Sequence, residues 1–309
     1  MFNFISKNVS RETFFGDIVN NVFTKICLCD ILSASKEEEK LGKIIAFANQ
    51  KGGVGKTTTC VNLSAFLALL GQKVLLVDMD PQGNATSGVG VEKNKNTKTM
   101  YNLIDKDCYI NDVICKTNTE SLDIIPATVD LAGAEIDLVQ MNARESVVKN
   151  ILAKVVDDYD YIMLDCPPSL GLLTVNALTA SNSVIIPIQC EFFALEGLTQ
   201  LMNTIRLIIH HLNPDLQIEG VVMTMKDNRS NLVAQVSNEI NKFFGNKVFK
   251  TYIPRNIKLA EAPSHGETIA TYDIKSKGAN AYLDLAYELL ERNGVVYKRP
   301  NKRSLKEKK

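Results

Sequence analysis

A glycine-rich segment between a strand and a helix constrains this sequence more than any other feature. Residues 51–58 read KGGVGKTT, two residues after the apolar run Ile44–Ala48 and before a helical pattern with Leu63 and Leu67 on one face. Strand, glycine-rich turn and helix is the arrangement of a phosphate-binding loop. Its backbone N–H groups turn toward a polyphosphate, and the helix N-terminus adds its dipole. A glycine-rich turn without a ligand is the alternative, but Gly, Lys and Thr in this order favour a nucleotide site.

The same loop offers side chains to the phosphates and to a metal ion. We expect Lys56 to place its charge on the β- and γ-phosphates, and the Thr57 hydroxyl to bind Mg²⁺. The backbone around these two residues would surround the nucleotide. The predicted nucleotide-binding residues of the loop are Gly52, Gly53, Val54, Gly55, Lys56, Thr57 and Thr58.

Two further apolar strands are predicted to end in carboxylates. Residues 73–78 read KVLLVD and end at Asp78, and residues 160–165 read DYIMLD and end at Asp165. Continuous apolar runs of this kind suit a parallel sheet that is covered on both faces. Ligands of open α/β sheets bind at the carboxyl ends of the strands. Asp165 therefore occupies the Walker B position, whose carboxylate holds Mg²⁺ through water.

Composition limits the class of protein. Lys+Arg and Asp+Glu are both 35 in 309 residues, so a DNA partner would have to meet a local basic patch rather than a global field. The seven cysteines form no CxxC pair and no zinc spacing, which suits a reducing cytosol. No apolar run approaches the roughly 20 residues that span a bilayer. We expect a soluble cytoplasmic protein that does not bind membranes.

The rest of the chain alternates strands and helices. Strands are predicted at 122–126, 183–188, 217–225 and 247–252, and helical segments at 101–105, 134–156, 192–212, 232–244 and 278–292. This alternation predicts a single α/β P-loop NTPase domain, with a mostly parallel central sheet and helices on both faces.

Four motifs resemble those of the ParA/MinD group of ATPases, which also includes the nitrogenase iron protein. They are the loop with two lysines at 51–58, DMDPQGN at 78–84, DCPPS at 165–169, and IPRN…EAPSHG within 253–266. The resemblance covers 43–293 and is closest to the ParA/Soj type of chromosome-partition ATPase. It implies Mg²⁺-dependent hydrolysis of ATP to ADP and phosphate by an ATP-bound homodimer.

The resemblance also assigns roles to single residues. Lys51 would reach the partner's nucleotide, and Asp80 would orient the attacking water, or act as its base, near the metal. The implied sets are catalytic Lys51, Lys56 and Asp80; metal-binding Thr57, Asp80 and Asp165; nucleotide-contacting Asn228, Pro254 and Arg255; and DNA-binding Arg206 and Arg229. The implied partners are non-specific double-stranded DNA and a ParB-type centromere-binding protein, which places the protein on the nucleoid. A further role in replication initiation through DnaA, or in sporulation, stays open.

Three other interpretations were weighed. A MinD-like membrane-associated septum-placement ATPase needs an amphipathic C-terminal helix, whereas residues 294–309 form a basic tail. A nitrogenase-like protein needs cluster-binding cysteines, and Cys108 and Cys115 lie in a poorly matching region. An ATP-gated autorepressor usually carries a helix-turn-helix before the ATPase domain, and no such pattern precedes residue 43.

Residues 1–42 do not match the family pattern and form a separate N-terminal extension. One interpretation is a flexible arm. The other is upstream DNA translated from a misassigned start, because codons for residues 8–13 can spell the parS palindrome and Leu41 can be a TTG start. Intact-mass analysis of the protein from its native host would decide between them.

Overall fold

The computed structural model describes residues 42–94, 97–191, 194–227 and 229–295. Within these ranges, seven strands form one sheet in the order β3-β4-β2-β5-β1-β6-β7, and only the β3–β4 pair is antiparallel. The predicted mostly parallel α/β fold is confirmed. The strands are β1 (Lys43–Phe47), β2 (Val74–Asp78), β3 (Cys115–Lys116), β4 (Leu122–Ile125), β5 (Tyr161–Asp165), β6 (Ser183–Gln189) and β7 (Gln217–Thr224).

The α-helices alternate with the strands, but the predicted helical segment 134–156 is divided between the helices Leu131–Gln140 and Val147–Leu152, and the helix Leu172–Ala180 was not predicted. They are α1 (Lys56–Leu69), α2 (Asn84–Gly88), α3 (Met100–Ile104), α4 (Leu131–Gln140), α5 (Val147–Leu152), α6 (Leu172–Ala180), α7 (Ala194–His211), α8 (Asn231–Phe244), α9 (Lys258–Glu261), α10 (Ile269–Tyr272) and α11 (Lys277–Arg292). Among the described residues, no helix is both long and apolar enough to cross a bilayer.

The sheet lies inside the molecule. Every residue of β2, β4 and β5 is buried, and successive side chains of a strand point to opposite faces. Both faces of the sheet are therefore covered, as the continuous apolar runs predict. On one face α1 packs against α11, where the hydroxyl groups of Thr59 and Tyr282 lie 3.2 Å apart inside the core.

The predicted strand at 247–252 is wrong. A 3₁₀ turn occupies Gly245–Lys247. After it, an isolated bridge at Val248 and separate hydrogen bonds from the Phe249 and Ile253 N–H groups join the segment to β7, without forming a continuous ladder. The reason is a competing acceptor on α11: the carboxylate of Glu288 accepts hydrogen bonds from the backbone N–H groups of Lys250 and Thr251, at 2.8 and 2.9 Å. Arg292 donates to the same carboxylate at 2.8 Å.

Glu288 therefore anchors the segment that leads to Pro254, and its removal should cost stability. We expect Glu288→Ala to lower the free energy of unfolding by about 2–4 kcal/mol, because two backbone donors and Arg292 lose their acceptor. Burial opposes ionisation of Glu288, but these donors lower its pKa below the ordinary value. The stability that the ionised Glu288 carboxylate contributes should therefore be lost progressively as the pH falls below about 4. Urea unfolding at several pH values measures the free energy of unfolding of this variant, and Glu291→Ala, which changes an exposed residue of the same helix, is the control. Equal losses of unfolding free energy in the two variants would contradict the prediction.

Candidate nucleotide site

The glycine-rich loop turns as a phosphate-binding loop must. Gly53 and Gly55 have φ angles of +74° and +82°, the left-handed region that favours glycine. The loop is fixed from behind, because the Thr224 hydroxyl at the end of β7 donates to the Val54 carbonyl oxygen at 2.7 Å. Gly55 caps α1, so the first N–H groups of this helix open onto the loop.

Lys56 is buried at the start of α1. Its ammonium lies 3.5 Å from the Lys51 carbonyl oxygen. Burial lowers the pKa of Lys56, while the nearby Asp165, Cys166 and Asp80 work in the opposite direction. A buried ammonium aimed along such a loop needs an anion, and a polyphosphate supplies it.

Asp78 has a structural role beside the site. It is fully buried, and its carboxylate accepts hydrogen bonds from the Thr86 N–H at 2.8 Å and the Thr86 hydroxyl at 2.7 Å. Burial raises the pKa of Asp78 to about 6, against the effect of these hydrogen bonds. The Thr86 hydroxyl in turn accepts from the Ala127 N–H at 2.9 Å. Asp78 thereby ties α2 to the end of β4.

Asp165 is different, since its buried carboxylate is not satisfied by the described chain. It lies on β5, level with Asp78 on β2 and with Phe47 on β1. Neither of its oxygens has a hydrogen-bond donor of good geometry. Burial and Asp78 raise the pKa of Asp165, and the nearby Thr57 hydroxyl and Lys56 oppose that shift.

An orphaned buried carboxylate beside a threonine hydroxyl fits Mg²⁺. No group of three or more His, Cys, Asp or Glu residues suited to a metal occurs among the described residues. The ion would therefore complete its shell with phosphate oxygens and water, which is how Mg²⁺ is usually held. Asp165 and Thr57 are the residues that would hold it, and bound Mg²⁺ would neutralise phosphate charge there.

Asp80 lies in a turn just beyond β2, and hydrogen bonds fix the conformation of this turn. Its Oδ1 accepts from the Gln82 N–H at 2.9 Å, and Asp80 is itself nearly buried. The ammonium of Lys93 donates to the carbonyl oxygens of Gln82 and Gly83 at 3.0 and 3.2 Å. Asp80 is thus pre-oriented by its own turn, and Lys93 holds that turn from outside.

Lys51, the second lysine of the loop, does not point at Lys56 or at an acid of the sheet. Its ammonium makes a 2.6 Å ion pair with Glu191, the residue just beyond the end of β6. Its backbone N–H donates to the Asn49 side chain at 3.0 Å. About half of the Glu191 side chain is exposed, and an ion pair this close to water is weak. Lys51 is therefore held in place but can be released.

The predicted adenine contacts are only partly described. The backbones of Lys226 and Pro254 form a parallel bridge, and the Lys226 ammonium lies 4.9 Å from the centroid of the Tyr252 ring. Pro254 is half-buried and Arg255 is exposed, so a flat apolar ligand can reach both. Asn228, the third predicted contact, lies outside the described residues.

The two predicted DNA-binding arginines lie on different elements. Arg206 is on α7, where it donates to Asn203 at 3.1 Å. Arg229 precedes α8 and is held by Asp227 through two hydrogen bonds of 2.9 and 2.7 Å. The side chain of Arg229 is 90% exposed, so its guanidinium meets solvent, although Asp227 offsets its charge.

Comparison with known proteins decides the family. A family model described as "AAA domain" matches residues 42–218. The chain is 60% identical to the sporulation initiation inhibitor protein Soj of Bacillus subtilis (strain 168), over 81% of this chain and 98% of the relative. It is 51% identical to the chromosome partitioning protein ParA of Myxococcus xanthus, over 82% of this chain and 89% of the relative. The chain belongs to the ParA/Soj family of chromosome-partitioning ATPases.

Solved structures agree with a ParA/Soj fold. The crystal structure of cobyrinic acid a,c-diamide synthase from Mycobacterium smegmatis with bound ADP and magnesium is 36% identical in sequence. It covers 84% of this chain and 99% of its own chain, with a TM-score of 0.73. Nucleotide and magnesium are the ligands that the sequence predicts for this ParA/Soj chain.

Sequence reasoning missed several residues that shape this ParA/Soj site. Glu191 and Thr224 contact predicted site residues, and Thr86 and Lys93 hold the turn that carries Asp80, yet none of the four belongs to a motif used above. Glu191 and Thr224 could have been found from their places, because both lie at carboxyl ends of predicted parallel strands. Lys93 gives no such signal, since its contact depends on how the chain turns after α2.

Proposed function

We propose that this chain is an ATP-driven dimeric switch for chromosome or plasmid partition. Two ATP-loaded subunits close face to face, each Lys51 reaching the other nucleotide. The observation that carries the proposal is the pairing of Lys51 with a half-exposed glutamate at the mouth of the phosphate loop. In that position Lys51 serves no group of its own site, and it can leave Glu191 for a more negative partner such as a triphosphate.

Hydrolysis would follow from the groups on the sheet edge. Lys56 and Lys51 stabilise negative charge on the transferring phosphoryl group. Asp165 and Thr57, with Asp80 as the third predicted ligand, would hold Mg²⁺, which would supply further charge neutralisation. Asp80 would orient the attacking water or accept its proton, and the turn fixes the direction of the Asp80 carboxylate. The products are ADP and phosphate, and the dimer then separates.

The closed dimer would bind double-stranded DNA without sequence preference. Arg206 and Arg229 of both subunits would contact phosphates, and release of counterions supplies the affinity. A ParB-type protein would stimulate hydrolysis and so release the dimer from the nucleoid. Modulation of replication initiation through DnaA stays part of this proposal without a residue assigned to it.

Sequence identity supports partition over the activity named for the similar structure from Mycobacterium smegmatis. The cobyrinic acid a,c-diamide synthase structure is 36% identical, against 60% for Soj of Bacillus subtilis. The membrane-associated alternative depends on the C-terminal tail, and residues 296–309 lie outside the described residues.

Binding to random-sequence duplex DNA tests this function. We expect tight binding with ATP or a non-hydrolysable analogue, weak binding with ADP, and a steep loss of affinity with rising salt. Arg206→Ala/Arg229→Ala should lose this binding, whereas Lys242→Ala, which removes an exposed lysine of α8, should keep it. Asp227→Asn should bind at least as tightly as the natural chain, because the Arg229 guanidinium then lacks its competing carboxylate.

Absence of DNA binding in every nucleotide state would overturn the partition proposal. Binding to liposomes of anionic lipid, measured with the same nucleotides, would then support the membrane-associated alternative.

A further inference from the structure

Two buried carboxylates lie at opposite ends of one turn, and neither is fully satisfied by the described chain. The turn, which we name the β5–α6 turn, comprises residues 166–171 and joins β5 to α6. Asp165 precedes it, and Glu135 of α4 lies against its last residue, Gly171. Among the described residues, the buried carboxylate oxygens without a hydrogen-bond donor of good geometry are both oxygens of Asp165 and Oε1 of Glu135. Mg²⁺ accounts for Asp165, whereas the nucleotide site gives Glu135 no role.

The fit between Glu135 and Gly171 depends on the absence of a side chain at position 171. A Cβ added to Gly171 would overlap Oε1 of Glu135 and would come within 3.1 Å of its Cδ. The φ angle of Gly171 is −75°, which other residues can adopt as well. Glycine is therefore needed at this position for space rather than for its backbone conformation, and the carboxylate occupies that space.

The carboxylate of Glu135 lies at the start of α6. Gly171 is the N-cap of this helix, and within the described chain no side chain caps it by a hydrogen bond. The first N–H groups of a helix have no acceptor inside the helix, and they carry partial positive charge that favours a carboxylate. An acceptor oxygen without a donor therefore lies beside N–H groups that need an acceptor.

Glu135 lies on a helix with anchors of its own, so it can serve as a fixed point for the turn. Three aliphatic residues of α4 are buried, and the Tyr101 hydroxyl donates to Asp137 of the same helix at 3.1 Å. The β5–α6 turn contains two consecutive prolines, which have no N–H group to donate. Its Ser169 carbonyl oxygen accepts from the Thr174 hydroxyl of α6 at 2.6 Å. A shift of the turn would therefore move the start of α6 relative to Glu135.

We propose that Glu135 is a positioning residue for the β5–α6 turn. Its carboxylate accepts hydrogen bonds from the first N–H groups of α6, and this contact sets the turn, and with it Asp165, for binding of Mg²⁺ and nucleotide. In this structure Oε1 of Glu135 abuts Gly171 without such a bond, so a small shift of the turn completes the contact. The contact at one end of the turn and the ligand at the other would form together. The kinetic test of this inference rests on the proposed hydrolysis of ATP, whereas its other tests need no turnover.

Removal of the carboxylate tests its role in turnover. We expect Glu135→Ala to lower kcat for ATP hydrolysis about tenfold or more, because a hydrogen bond to a charged group is lost. KM for ATP should stay within about twofold, since the phosphate loop is untouched. Glu135→Gln keeps an acceptor oxygen in a side chain of the same shape, so it should recover most of the lost rate. Gln140→Ala, which changes an exposed residue of α4, is the matched control and should behave as the natural chain. An unchanged kcat in Glu135→Ala would overturn the inference.

A paired substitution separates the space that Glu135 fills from the contact that it makes. Gly171→Ala places a methyl group against the carboxylate, so we expect a lower melting temperature and slow hydrolysis. Gly171→Ala/Glu135→Ala removes this overlap, so the melting temperature should return toward that of the natural chain while hydrolysis stays slow. Natural turnover by the double variant would mean that Glu135 only occupies space, and it would overturn the inference. So would an unchanged melting temperature in Gly171→Ala alone.

Hydrogen exchange follows the contact without any turnover. With Mg²⁺ and a non-hydrolysable ATP analogue, the amides of residues 171–174 in the natural chain should exchange about tenfold more slowly than in the free chain, because they gain an acceptor. Glu135→Ala should lose this slowing at 171–174 and keep the slowing of the phosphate-loop amides at 52–58. Equal slowing at 171–174 in both chains would overturn the inference.

Failure of the proposed function is distinguishable from failure of this inference. If the natural chain binds the ATP analogue but does not hydrolyse ATP, the proposed function fails, and the exchange and melting measurements still decide the role of Glu135. If the natural chain hydrolyses ATP and Glu135→Ala does so equally fast, the inference fails and the proposed function stands.

Discussion

Asp80→Ala should abolish turnover while the chain still binds ATP, dimerises and stays on DNA. Asp80 is nearly buried, lies just beyond β2, and is oriented by the Gln82 N–H at 2.9 Å. A positioned acid or base of this kind typically contributes about 10²–10⁴-fold to a rate. The phosphate loop and Asp165 remain in the Asp80→Ala variant, so we expect this variant to bind the nucleotide. Phosphate release measured with and without the ParB-type protein gives the rate, and calorimetric titration with a non-hydrolysable analogue gives the affinity.

Asp80→Asn is the matched variant for this prediction. Its amide oxygen can still accept from the Gln82 N–H, so the turn keeps its shape while the charge is removed. We expect Asp80→Asn to be nearly as slow as Asp80→Ala. Turnover at the natural rate by the asparagine variant would assign Asp80 a role in the turn rather than in the chemistry.

Lys51→Ala should prevent formation of a stable ATP-bound dimer while leaving nucleotide binding in place. Within one chain the Lys51 ammonium contacts Glu191 at 2.6 Å, and the phosphates of that chain are served by Lys56 and the loop backbone. In the proposed dimer, loss of Lys51 would remove a contact that each subunit makes to the other. That contact would occur twice in a symmetric dimer, so its loss would count twice. Sedimentation with a non-hydrolysable ATP analogue measures the dimer, and hydrolysis should fall with it.

Glu191→Gln is the control for Lys51. It removes the carboxylate that holds Lys51 within the chain but keeps the lysine, so we expect dimers at least as stable as those of the natural chain. If Lys51→Ala dimerises normally on ATP, Lys51 has no role across the interface. If Glu191→Gln loses the dimer as well, Glu191 is part of the interface rather than a competitor for Lys51.

Sequence patterns predicted the fold well where burial alone sets the structure. The runs that became β2 and β5 are apolar at every position but the last, and buried parallel strands require that pattern. The segment 247–252 also looks like a strand, yet the amides of Lys250 and Thr251 bond to Glu288, a residue far away in the sequence. A side chain that competes for backbone donors cannot be found from local periodicity.

Some features of the candidate site could likewise be predicted from the sequence, and others could not. The phosphate loop and Asp165 are set by short motifs at the ends of strands, so their neighbourhood could be predicted from the sequence. The distinction between Asp78 and Asp165 could not be predicted, because it depends on how the chain turns after β2. Thr86 and the Asp80 N–H donate to the carboxylate of Asp78, whereas neither oxygen of Asp165 has a donor of good geometry. The contact of Lys51 with Glu191 likewise depends on β1 and β6 lying side by side.

The buried carboxylate of Asp165 makes the ligand part of the folding balance. A buried carboxylate without a hydrogen-bond donor of good geometry, at the carboxyl end of β5, lowers the stability of the folded chain until Mg²⁺ and nucleotide bind. Residues kept for function commonly oppose stability in this manner. Ligand that binds only the folded chain shifts the equilibrium away from unfolding. The survival of this protein in a cell is therefore linked to the supply of nucleotide, since empty molecules unfold, and are degraded, more readily than loaded ones.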